Sequence, residues 1–228
     1  LVERFEIVTA PSASVWAVLQ AGAKQPDRRR GLVVADPDNG INDPRYAPLA
    51  FSREELAHLS SLHQGAMDAL TGKAATAAAV QAKKLDSYGW LHFAAHAEAD
   101  EDSGELGSLV LSGGSTLRAY EIAGWKLAKP LVILNACQTG VGEAMAGEGT
   151  ISLARSFLIA GAQGVAATLW RIPDQSAALL MRRFYTHLRE NQQPPATALR
   201  LAQLDLLRDA RFRSPRHWAA FEWIGPTR

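Results

Sequence analysis

The run Leu131-Val-Ile-Leu-Asn-Ala-Cys137-Gln-Thr-Gly140 carries the chain's one cysteine just past an apolar stretch and into a glycine turn. A second apolar run, Trp90-Leu-His-Phe-Ala-Ala-His96-Ala, ends on histidine ahead of an acidic stretch holding Glu98, Asp100, Glu101 and Asp102. A thiol and an imidazole are the parts of a cysteine nucleophile and its general base, provided the fold brings them together. If both runs are strands of one parallel sheet, both side chains sit at strand C-termini, where strand-to-helix loops leave a crevice. A lone cysteine in an apolar run is ordinarily a small buried hydrophobe. Cys137 follows the run instead of lying within it, and a backbone N–H at such a turn can face a developing oxyanion.

The other chemically capable residues read more blandly. His92 and His96 share a face if their run is one strand, a spacing that invites a metal pair; the run lacks helical character and no third ligand is evident, so zinc held by the two with Cys137 is disfavoured. His58, His63, His187 and His217 read as structural or surface residues. The glycine-rich stretch Gly140 to Gly149 has neither a P-loop ending nor a dinucleotide fingerprint, and reads as a mobile loop beside the nucleophile. The acidic stretch lacks calcium-loop spacing and reads as solvated. No metal and no cofactor is expected. Asp174, four residues after Trp170, has two readings: an N-cap of the helix that follows, or a pocket-lining carboxylate.

These residues need a sheet to hold them. Gly31 to Ala35 and Met67 to Leu70 read as strands, as do Trp90 to His96, Leu131 to Ala136 and Gly164 to Trp170. Arg4 to Thr9 reads as a further strand, and Trp218 to Ile224 as an edge strand. Helices are expected from Ser52 to about Leu62, where Ser52-Arg-Glu-Glu55 has capping-box spacing, and over the alanine-rich stretch from Ala74 to Leu85. Others are expected from Thr150 to Ala160, from Gln175 to Glu190 and beyond Pro195, with a short one over Tyr120 to Trp125. Gly107 to Arg118 reads as a small antiparallel excursion about Gly113-Gly114. Alternating strands and helices predict an α/β fold with a mostly parallel sheet covered on both faces.

Composition bounds the possibilities. The chain has 228 residues, 47% hydrophobic and 21% charged, ordinary values for a globular protein. Twenty-four Lys and Arg against 23 Asp and Glu give a net charge of +1, which leaves no electrostatic footprint for nucleic acid. Arg28-Arg29-Arg30 reads as a solvated turn. One cysteine closes no internal disulfide, so nothing indicates an oxidising compartment and a cytoplasmic setting is expected. No apolar run approaches the roughly 18 residues of a membrane span. The N-terminus opens on Leu1-Val-Glu-Arg with no signal-peptide pattern, and the chain reads as a domain cut from a longer protein.

Taken together, Leu91-His-Phe-Ala-Ala-His96-Ala, Leu134-Asn-Ala-Cys137-Gln-Thr-Gly140, Gly147-Glu-Gly149, Leu169-Trp170, Ala154-Arg-Ser-Phe-Leu-Ile-Ala-Gly161-Ala and Trp218-Ala-Ala-Phe resemble the CHAT domain. These are caspase-like cysteine peptidases, mostly bacterial and often fused to tetratricopeptide repeats. The resemblance spans residues 1–228 as one domain and is best supported over 85–225. It implies a caspase–hemoglobinase-like three-layer sandwich and a catalytic dyad of His96 and Cys137. The backbone N–H groups of Ala97 and Cys137 would form the oxyanion hole, although alanine stands where caspases and separases generally have glycine. By likeness to separases, Asp174 would line the specificity pocket. The implied function is a cysteine endopeptidase acting on a protein substrate, gated by a regulatory partner or a fused repeat region. The alternative is a caspase-like binding or scaffold module without turnover.

Overall fold

The structure, a computed structural model, describes residues 1–21, 29–63, 66–98, 107–136 and 146–227. Its centre is a six-stranded sheet ordered β2-β1-β3-β7-β8-β9. The strands are β1 (Gly31–Pro37), β2 (Met67–Gly72), β3 (Trp90–Ala94), β7 (Leu131–Leu134), β8 (Gly164–Thr168) and β9 (Phe221–Ile224). All pairings are parallel except that of β9, which runs antiparallel to β8 at the edge. A second sheet of three short antiparallel strands comprises β4 (His96–Glu98), β5 (Ser108–Val110) and β6 (Thr116–Arg118). The turn between β5 and β6 uses Gly113 and Gly114 at φ +65° and +72°, a region where only glycine is unstrained.

The inner strands are mostly apolar because both faces are covered, with His92 of β3 a buried exception. Successive residues of β7 alternate between two cores: Leu131 and Ile133 join one, Val132 and Leu134 the other. On the first side lie α2 (Ser52–His63), α6 (Asp174–Arg189) and α7 (Pro195–Arg208), which contribute Leu59, Met181, Phe184, Tyr185 and Leu199. On the second side Leu153 and Phe157 of α5 (Ala146–Ile159) and Ile122 of α4 (Ala119–Ala123) pack with Leu109 and Leu117 of the small sheet. Phe157 is wholly buried, so its truncation to alanine should cost about 3–5 kcal/mol.

Several boundaries differ from the sequence reading. Arg4 to Thr9 is not a strand: Thr9 makes one parallel bridge to Ile224 at the sheet's edge. The alanine-rich helix shrinks to α3 (Ala77–Gln81), because the amides of Ala74 and Ala75 bond back to Thr71 and Gly72 and Thr76 caps the helix through Ala79 N–H. An N-terminal helix, α1 (Ala13–Ala21), has no buried residue. α5 begins at Ala146, so Gly147 and Gly149 belong to a helix; residues 137 to 145, including Cys137 and Gly140, lie outside the described residues. Trp90 to His96 is not one strand. The chain bends at Ala95, β3 ends at Ala94, and His96 opens β4 in the other sheet. His92 and His96 therefore do not share a strand face.

Candidate active site

The chain leaves β1 for β2 on one side, then crosses back to β3 on the other, so connections depart in opposite directions at the C-terminal edge between β1 and β3. A cavity of about 140 Å³ lies along the same C-terminal edge of the sheet, at the ends of β3, β7 and β8. It is lined by Ala95 and His96 after β3, Asn135 after β7, and Arg171 and Asp174 after β8, with Ser52 of α2 closing one side. Cavities of about 240 and 340 Å³ lie between α2 and α6 and beneath the N-terminal segment. Both are larger, but neither gathers several titratable groups at strand C-termini, and chemistry rather than volume selects the smaller one.

His96 is 6% exposed. Its Nε2 lies 2.8 Å from the carbonyl oxygen of Ala47. A carbonyl only accepts, so Nε2 carries the hydrogen and the unshared pair of the neutral ring is on Nδ1. The Tyr46 ring meets the imidazole edge-on at 5.6 Å and 84°, while the Tyr46 hydroxyl donates to Glu98 Oε1. Burial holds the His96 pKa below 6.5 against the Ala47 bond; Arg171 lowers it further, and Asp174 and Asp36 oppose. Burial thus favours the neutral form of the ring.

At the end of β7, Thr168 Oγ1 donates to the Ala136 carbonyl at 3.0 Å, and Asn135 Nδ2 donates to Glu55 Oε2 at 3.0 Å. Glu55 Oε1 lies 3.1 Å from His92 Nε2, within ion-pair range but without hydrogen-bond alignment. His92 Nδ1 is 3.0 Å from the Tyr185 hydroxyl. The capping box expected of Ser52 and Glu55 does not form: Ser52 Oγ donates to the Leu49 carbonyl, and Glu55 turns inward. Sequence reasoning missed Glu55 for that reason. The available signal was its place on one helical stripe with Leu59 and His63, both buried. Among the described residues no group of three His, Cys, Asp or Glu is placed to hold a metal ion.

Asp174 opens α6, but it is not the helix cap. Pro173 occupies the N-cap position, and no side chain caps there. Asp174 Oδ2 instead accepts the N–H of Phe51, immediately before α2, at 3.0 Å. Burial pushes the Asp174 carboxyl above its ordinary value of 3.8; the Phe51 bond opposes this, Glu55 and Asp36 add to it, and His96 opposes it. Ala97 is buried in β4, in register with Leu109. The cavity thus brings His96, Asn135 and Asp174 together. Cys137, two residues beyond Asn135 in the sequence, lies outside the described residues.

A family model described as "CHAT domain" matches residues 1–226. Tetratricopeptide repeat protein 28 of Mus musculus is 31% identical over 112 residues, 48% of this chain and 4% of that protein. Its Homo sapiens counterpart is 33% identical over 109 residues, with the same shares. The matched part therefore spans a small fraction of these relatives' length. Among solved structures, the Arg-specific cysteine proteinase gingipain R aligns with a TM-score of 0.59 at 11% identity, over 87% of this chain and 46% of that one. Separase from the Saccharomyces cerevisiae separase–securin complex aligns with a TM-score of 0.64 at 13% identity, over 97% and 14%. At such identities the likeness establishes the fold alone, that of the caspase–hemoglobinase peptidases.

Proposed function

We propose, since the chain belongs to the CHAT domain family, that it is a cysteine endopeptidase using His96 and Cys137. The observation that carries this reading is His96 itself: a buried imidazole beside a strand-end cavity, its Nε2 committed to Ala47 and its pair left on Nδ1. In the proposed reaction His96 takes the Cys137 proton, and sulfur attacks the peptide carbonyl carbon. The N–H groups of Ala97 and Cys137 stabilise the oxyanion. The tetrahedral adduct then collapses, the amine leaves with the proton from His96, and a thioester remains. Water, activated by His96, hydrolyses it and regenerates the thiol.

Asp174 is proposed to receive a basic side chain before the scissile bond. A half-buried carboxylate whose charged form is disfavoured gains most from a cation, and arginine supplies two parallel donors. Gingipain R, a cysteine proteinase of the same fold, is Arg-specific. A fused tetratricopeptide region or a regulatory partner is proposed to gate the site. The repeat-protein relatives and the securin bound to separase support that reading. The proposed setting is the cytoplasm, where a nucleophilic thiol stays reduced; among the described residues no helix is long and apolar enough to cross a membrane.

Iodoacetamide labelling of Cys137 in the full-length protein, followed by peptide mapping, tests the dyad. A free cysteine has a pKa near 8.5, so a thiol activated by His96 should label at least about tenfold faster at pH 7 than in His96→Ala. Equal rates, or a Cys137 that resists labelling, would favour a caspase-like scaffold without turnover.

A further inference from the structure

Asn135 forms the β7 wall of the cavity, and the group that holds its side chain is 80 residues away, on α2. Glu55 is 3% exposed, His92 0% and Asn135 8%, so a carboxylate sits deep between α2, β3, β7 and α6. Such burial is expensive, and apolar replacements of a buried ion pair are often neutral or stabilising. Stability alone is therefore a poor reason for this arrangement. Its geometry suggests another. Through Glu55, α2 grips Asn135 on one side of the cavity; the N–H of Phe51, the residue just before α2, grips Asp174 on the other. The Ala136 carbonyl, one residue on, is tied to β8 by Thr168.

We infer that Glu55 is a positioning residue: by fixing Asn135 it sets the end of β7, from which Cys137 follows two residues later, against His96. This rests on the dyad reading above. Misplacing a reacting group by about 1 Å can cost about 10²-fold in rate, so a remote buried bond suffices to control the chemistry. The competing accounts are that Asn135 acts on substrate directly, or that Glu55 only fills space.

Exchanging the two groups separates these accounts. Asn135→Asp sets two carboxyls against each other at hydrogen-bond distance, where both cannot ionise. Adding Glu55→Gln restores an amide–carboxylate bond with donor and acceptor exchanged. In the full-length protein, the readouts are the iodoacetamide rate at Cys137, kcat and KM on an arginyl-coumarin peptide, and the melting temperature. Asn135→Asp should slow labelling and kcat by about 10²-fold at pH 7.5, with KM within about twofold. The deficit relative to wild type should shrink as pH falls, because a shared proton restores the bond. The double variant should recover at least about tenfold of the loss. A double variant as slow as Asn135→Asp, or an Asn135→Asp at the wild-type rate, overturns the inference. Should Asn135→Asp fail to fold, the double variant decides alone: a near-wild-type rate supports positioning, and a rate about 10²-fold slower in folded protein overturns it. If wild type cleaves nothing while labelling still shows loss and recovery, the peptidase reading fails and the positioning role stands.

Discussion

His96 Nε2 sits 2.8 Å from the Ala47 carbonyl oxygen, a contact that joins the start of β4 to the loop before α2. A backbone oxygen cannot titrate away, so the ring's tautomer is fixed at every pH at which it is neutral. Removing the ring should lower kcat/KM by about 10²–10⁴ without unfolding the chain. Steady-state kinetics and circular dichroism of His96→Ala check this; full activity in the folded variant would exclude His96 as the base.

The acid limb of activity should report the same group. Burial and Arg171 hold the His96 pKa below 6.5, so its base form persists into mildly acidic solution. Arg171→Gln removes one of the lowering influences, and the acid limb of kcat/KM should move to higher pH. A limb that stays put or moves down would show that His96 does not govern it.

Asp174→Asn asks what the carboxylate is for. Asparagine still offers an oxygen to Phe51 N–H, and it removes a charge whose burial is disfavoured. The variant should melt no lower than wild type. It should also lose preference for Arg or Lys before the cut by about 10–10²-fold, the worth of a charge-assisted contact of about 1.5–3 kcal/mol. A peptide library cut with unchanged preference would leave Asp174 as a tie between α2 and α6.

Much of this architecture was legible because β3 and β7 are buried on both faces and write mostly apolar runs into the chain. The Gly113-Gly114 turn was legible from glycine alone. What stayed hidden was tertiary. Nothing in Ala94-Ala95 distinguishes a continuing strand from a bend, so His96 was assigned to the wrong sheet. Ser52-Arg-Glu-Glu55 satisfies a local capping pattern while Glu55 in fact answers to Asn135 and His92. The cap reading of Asp174 fails for the same reason: its partner, Phe51, is 123 residues away. The helix α1 escaped notice because it packs no residue into the core.

His63 should make the fold acid-sensitive. Buried against Trp90, with ring centroids 4.3 Å apart and Nδ1 bonded to the Leu59 carbonyl, it has its pKa pushed down to about 4, chiefly by burial. The unfolded chain then binds the extra proton between pH 6.5 and about 4, so this group's contribution is full above 6.5 and lost as pH falls through that window. Urea midpoints should drop less between pH 7 and about 4.5 in His63→Gln than in wild type. An equal drop would assign acid sensitivity elsewhere.

Turnover at Cys137 separates a peptidase from a caspase-like scaffold. Mass spectrometry of a proteome-derived peptide library, incubated with the full-length protein and whatever partner activates it, reads new termini directly. Wild type should generate new termini, enriched for a basic residue before the cut, and Cys137→Ala should generate none. Termini produced equally by Cys137→Ala would contradict the mechanism, and a library left intact by wild type would contradict the proposed activity.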